Sequence, residues 1–84
     1  MTDVQFFGRL REAADRAGVK CTIDPSLRTV DDVIEKITRM DASLGDALQH
    51  ADVRCVIDGG FAADNKTSIA DCEEIAFIPP VSGG

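Results

Sequence analysis

Several features are scarce or missing in these 84 residues. No stretch approaches the ~20 consecutive apolar residues that a membrane-spanning helix requires. The opening MTDVQFFGRL has neither the basic start nor the long apolar stretch of a secretion signal, so a cytoplasmic location is expected. Positive charge is in short supply: 9 Lys and Arg stand against 15 Asp and Glu, a formal net charge of −6. Surfaces that bind nucleic acid concentrate Lys and Arg and draw affinity from counterion release, so nucleic acid is not expected as a partner. The acidity itself has two readings, solubility and docking onto a basic partner. Histidine occurs once, as His50 in a polar stretch, which leaves a nucleophile-and-base arrangement without a recognisable base. Cys21, Cys55 and Cys72 are odd in number and form no C-x-x-C pair, so neither a disulfide framework nor a metal site is indicated. Reduced thiols fit a cytoplasmic compartment.

What is present suffices for one folded unit. The length lies above the range in which disulfides or metals usually become necessary, and hydrophobic residues make up an ordinary 44% with charges scattered rather than blocked. The apolar, β-prone VQFF closed by Gly8 predicts a first strand. Leu10, Ala13, Ala14 and Ala17 recur at helical spacing before Gly18, which predicts a short helical connector. Val19, Cys21 and Ile23 alternate with polar residues up to Pro25, a half-buried strand pattern that returns beside the first strand.

The clearest helix starts at Thr29. Its hydroxyl can cap the first turn, Asp31 and Asp32 sit near the positive end of the helix dipole, and Val30, Val33, Ile34 and Ile37 form the buried stripe. ASLGDALQH predicts a further helical turn. VRCVID alternates again, Asp58-Gly59 is a dipeptide preferred in tight hairpins, and FAA returns as a short strand before the polar DNKTS. EIAFI is the last strand, ended by Pro79 and Pro80, which cannot donate to a ladder. The order is strand, strand, helix, three strands: an α+β domain over residues 1–78, with an extended tail over 79–84.

Most polar clusters have plain structural roles. The acidic pair Asp31-Asp32 fits a helix start, Glu73-Glu74 a turn into a strand, and Asp58 to Gly60 lacks the lysine and following helix of a phosphate loop. Cys21 and Cys55 occupy the apolar phase of their strands and read as core. Cys72 lies in the turn ADCEE, where acidic neighbours raise a thiol pKa and slow its reactions. The tail is the unusual chemistry. Gly83 and Gly84 put no side chain near the last carboxylate, while Pro79 and Pro80 stiffen the exit and lower the cost of ordering Val81 and Ser82 inside a partner. Residue chemistry alone leaves two readings, a frayed end and a thin tail that threads a channel.

FFGRLRE at Phe6 to Glu12 and AFIPPVSGG at Ala76 to Gly84 occur together at opposite ends of the chain. In these motifs, and in TVDDVIEKI, VIDGGFA and the turn before the last strand, the sequence resembles the small, sulfur-carrying subunit of molybdopterin synthase, within the MoaD/ThiS family of ubiquitin-like β-grasp proteins. The resemblance implies a mixed sheet of about four to five strands packed on one main helix. It further implies that the Gly84 carboxylate is adenylated by a separate, ATP-using E1-like activating enzyme and converted by a persulfide sulfur donor to a thiocarboxylate. Sulfur then passes to a pyranopterin precursor in molybdenum cofactor biosynthesis. Catalytic side chains are expected on the large synthase subunit, and no cofactor is expected to be bound by this chain. Candidate partner-binding residues are Phe61, Phe77 and Ile78; if Ile75 and Phe77 fill the core, Ile78 points outward just before the tail.

Two departures from the family pattern stand out. Asp58 stands where Asn is common. Cys72 stands where Gly is common, and a positive φ there would strain it by roughly 1 to 2 kcal/mol. Alternatives of the same resemblance are a carrier for the thiamine pathway or tRNA thiolation and a ubiquitin-like protein modifier. A non-reactive β-grasp binding module would tolerate a blocked terminus.

Overall fold

Five strands and three helices account for most of residues 2–80, which the computed structural model describes. β5 (Ile75–Ile78) is the central strand: it pairs in parallel with β1 (Thr2–Phe6) on one side and antiparallel with β3 (Arg54–Ile57) on the other. β2 (Thr22–Ile23) adds to the outer edge of β1 and β4 (Gly60–Phe61) to that of β3, both antiparallel, giving the order β2-β1-β5-β3-β4. This mixed sheet under helices is the ubiquitin-like β-grasp arrangement.

Strand alternation divides the sheet into two faces. Cys55, Phe77 and Phe6 share one row, and Ile57, Ile75 and Val4 another. On this face Val4, Cys55, Ile75 and Phe77 are buried, and Phe6 stacks on Phe77 with ring centroids 6.1 Å apart. The main helix, α2 (Val30–Met40), buries Val30, Val33, Ile34 and Ile37 into the same core, the stripe its sequence predicts. Its start is a full capping box: Thr29 Oγ1 accepts from the Asp32 amide, and the Asp32 carboxylate accepts from the amides of Thr29 and Arg28.

Three elements differ from their sequence signals. The segment after β1 is no mere connector but a ten-residue helix, α1 (Gly8–Ala17), because Leu10 and Ala14 bury against the sheet. Gly18 ends it in the left-handed conformation. ASLGDALQH forms α3 (Ala42–Leu48), capped by Asp41 and burying Leu44 and Leu48. The predicted strand around Cys21 contracts to Thr22 and Ile23: Val19 and Cys21 enter the core, and the Cys21 carbonyl still accepts from the Val4 amide.

The polar loop after β4 also proves to be anchored. Amides of Val30, Asp31 and Ile69 donate to carbonyls of Thr67, Asn65 and Arg28, stitching the loop to the start of α2 and driving Ile69 into the core.

Candidate sulfur-carrier tail base and docking face

The site begins where β5 ends. Ile78 is the last strand residue, and Pro79 and Pro80 follow without regular structure. The expected reactive residue Gly84, together with Val81, Ser82 and Gly83, lies outside the described residues.

The tail base is built from both ends of the chain. Parallel pairing sets Phe6 opposite Phe77, and the Phe7 amide extends the ladder by donating to the Phe77 carbonyl at 3.1 Å. The next residue, Gly8, has φ +56°, and a Cβ there would lie 2.9 Å from Pro79 Cγ. Only glycine meets both conditions without strain, since a left-handed backbone and a close approach are each costly for an L side chain. FFG and IPP, seventy residues apart in sequence, are therefore neighbours that set the direction of the exit. Phe7 is about half exposed beside them.

The solvent face of the sheet leads up to this exit. Register places Phe61, Val56, Ala76 and Gln5 in one cross-strand row, with Arg54 opposite Ile78 in the row nearest the tail. Phe61 is 71% exposed, and Val56, Ala76 and Ile78 are half-buried, so these side chains form an apolar strip without a covering element among the described residues. Ile78 points outward as alternation predicts. Phe77 does not: at 2% exposure it belongs to the core, and its inclusion among surface partner contacts is corrected by its place in the Cys55–Phe77–Phe6 row. Val56, Ala76 and Arg54 carried no separate signal in the sequence; the cross-strand register is what joins them to Phe61 and Ile78.

Near the hairpin, Asp58 and Gly59 have φ values of 50° and 84°, the two positive values of a type I′ turn. Asp58 suits the position normally held by Asn in the family, because one carboxylate oxygen also accepts from the amides of Glu73 and Glu74 at 2.8 and 2.9 Å. The left-handed residue before β5 is Asp71, at φ 60°, rather than Cys72. The anticipated strain on Cys72 is thus absent, the turn having moved its positive φ onto a short polar residue that tolerates it. Cys72 is half-buried; burial first, and the Asp58 carboxylate second, push its thiol pKa up. Burial likewise raises Cys21, and pushes Cys55 up to about 11. His50 is an exposed loop residue whose Nδ1 accepts from the Asp52 amide. Among the described residues no three His, Cys, Asp or Glu side chains gather as a metal site, and no helix is long and apolar enough to cross a membrane.

Comparison with known proteins fits the same frame. The ThiS family matches residues 4–84. The chain belongs to the ThiS family. This is the ubiquitin-like β-grasp sulfur carrier family, whose proteins work with activating enzymes and partner proteins. No curated protein matches at a significant level. Among solved structures, SAMP1 from Haloferax volcanii is similar at 25% identity with a TM-score of 0.68, covering 99% of this chain and 98% of its own. A second structure, of H. volcanii small archaeal modifier protein 1, is similar in fold at 22% identity with a TM-score of 0.67, covering 95% and 97%. This ThiS-family chain therefore shares the fold of an archaeal modifier over nearly its full length.

Proposed function

We propose that this chain is the sulfur carrier of molybdopterin synthase, bearing its sulfur as a thiocarboxylate on Gly84. The observation that carries the reading is the joined tail base: the FFG and IPP segments that suggested the carrier in sequence meet through the Phe7–Phe77 hydrogen bond and the Gly8–Pro79 contact. A family match that continues to residue 84 supports it.

A carboxylate is a poor electrophile until one oxygen becomes part of a leaving group. An E1-like enzyme supplies this by letting the Gly84 carboxylate attack the α-phosphorus of ATP, expelling pyrophosphate and leaving an acyl adenylate. The terminal sulfur of a persulfide attacks the acyl carbon and AMP departs. A second thiol then cleaves the acyl disulfide, taking the donor sulfur into a new disulfide and leaving the thiocarboxylate. The tail next enters the large synthase subunit, whose side chains direct sulfur to the pyranopterin precursor. This chain contributes the carboxylate, a rigid exit and a docking face; ATP is consumed by the activating enzyme.

A second reading, a ubiquitin-like protein modifier, is favoured by the likeness to SAMP1. Both readings share activation at Gly84 and divide at the acceptor. Incubation with the activating enzyme, ATP and a persulfide source should add the mass expected for replacing one oxygen by one sulfur at Gly84. Subsequent transfer to a pyranopterin in the presence of the large subunit supports the carrier; lysine-linked adducts without pterin thiolation overturn it in favour of the modifier. A modified mass on Cys72 would remove the chemistry from the tail.

A further inference from the structure

We propose that the open sheet face is an oriented docking surface, in which Arg54 pairs with a carboxylate of the partner protein at the end of its apolar cleft nearest the tail channel. The inference rests on the carrier reading for the identity of its partner, and on geometry for its polarity.

Along β5 the face changes character in one direction. Asp3 shares the face of Gln5 by alternation, is exposed, and is held by the Thr22 hydroxyl at the end remote from the tail. The apolar row of Phe61, Val56 and Ala76 lies in the middle. Arg54 closes the series opposite Ile78, one residue before Pro79. Arg54 is exposed and, among the described residues, makes neither an ion pair nor a side-chain hydrogen bond, whereas Arg11, Lys36 and Arg39 are each paired to a carboxylate. In a chain of net charge −6, an uncommitted guanidinium beside an uncovered apolar strip marks a local reversal of sign.

Charge complementarity then fixes the occupant: an apolar surface with an anion next to the tail channel, and none facing Asp3. Apolar contact is non-directional, so the strip alone permits docking in either sense. A guanidinium that meets a carboxylate in one orientation and loses it in the other removes that ambiguity, and delivers the tail toward the channel rather than away from it. The acidic whole thus hides a basic contact at the position that matters.

The test uses the full chain and an immobilised E1-like adenylating enzyme from the same genome. Arg54→Glu should lower the association rate about tenfold at low salt, with the difference shrinking as salt rises, because it replaces a complementary rim charge by a like one. Arg54→Lys should retain most binding, and Arg16→Glu, the same charge change on α1, should bind as wild type. Phe61→Asp should weaken binding at every salt concentration. Melting temperatures of all variants control for folding.

Loss by Phe61→Asp with no loss by Arg54→Glu beyond that of Arg16→Glu overturns the oriented contact while leaving the carrier reading intact. Normal binding by both overturns the docking face. Concentration-dependent dimers abolished by Phe61→Asp would assign the strip to a second copy of this chain and also overturn the proposal. Wild-type protein that docks in the expected manner but never acquires the adenylate would instead sink the carrier reading.

Discussion

Gly8 concentrates two demands in one residue, a φ of +56° and a backbone too close to Pro79 for a side chain. Gly8→Ala should therefore destabilise the domain by about 1 to 2 kcal/mol, the cost of a left-handed L-residue, and also push the tail base off its path. The second effect separates it from an ordinary destabilising change: thiocarboxylate formation should fall further than in a variant of equal melting temperature altered elsewhere. Loading no worse than in that stability-matched control would remove Gly8 from the site. Cys72 makes the contrasting case. Burial and Asp58 hold its thiol protonated at neutral pH, so it is a poor relay for sulfur. Cys72→Ser should transfer sulfur normally in the reconstituted reaction, and a large loss with unchanged folding would require a persulfide at Cys72 instead.

α2 shows which elements a sequence announces. Thr29, the two following aspartates and a four-residue apolar stripe all agree, and the helix forms where they place it. Thr29→Ala should cost about 1 kcal/mol by denaturant titration, with an unchanged m-value, because it removes a cap but little surface. The Asp32 side of the box carries a pH signature. Hydrogen bonds from the Arg28 amide first, and the Thr29 amide next, lower its carboxyl pKa from the ordinary 3.8. A folded pKa below the unfolded one means that the unfolded state binds the proton more readily; the contribution is complete above the unfolded value and lost as pH falls through the folded one. Asp32→Asn should thus flatten part of the acid limb of the stability profile, and an unaltered limb would show that the box contributes nothing there. The β5 alternation and the Asp58-Gly59 hairpin were equally plain, since each rests on local periodicity or turn chemistry. α1 was harder to read because alanines make a weak stripe, and its helicity rests on docking Leu10 and Ala14. Ile69 was invisible as core, a single apolar residue in a polar loop with no period to mark it. The tail base could be suspected only from two motifs seen together, because the Gly8–Pro79 contact is tertiary. The Phe61–Val56–Ala76 row likewise depends on register, and Phe77 had to be withdrawn from the surface for the same reason.

On the scale of the whole molecule, stability and chemistry occupy separate parts of the chain. Every residue of the core cluster lies between Val4 and Phe77, and β5 hands over to Pro79 and Pro80 at the edge of that core. In the carrier reading the body is a handle: it fixes the direction of the exit and presents Phe61, Ile78 and Arg54, while the reacting carbon belongs to Gly84. That carbon must reach an adenylating centre and later a second active site, so length and thinness of the tail should each be indispensable. Deleting Gly84 withdraws the carboxylate by about 3.3 to 3.6 Å, one extended residue, whereas a misplacement of ~1 Å can cost on the order of a hundredfold in rate. Gly83→Val keeps the length and adds a β-branched side chain next to the reacting residue, so it should fail through width. The two variants should melt within about a degree of the wild type, since surface changes away from packed features usually move stability by no more than ~0.5 kcal/mol. Intact mass after activation measures the chemistry, and a thermal melt measures the fold. Normal sulfur loading by the shortened chain would end the carrier hypothesis, and a large drop in melting temperature would make the tail part of the folded body.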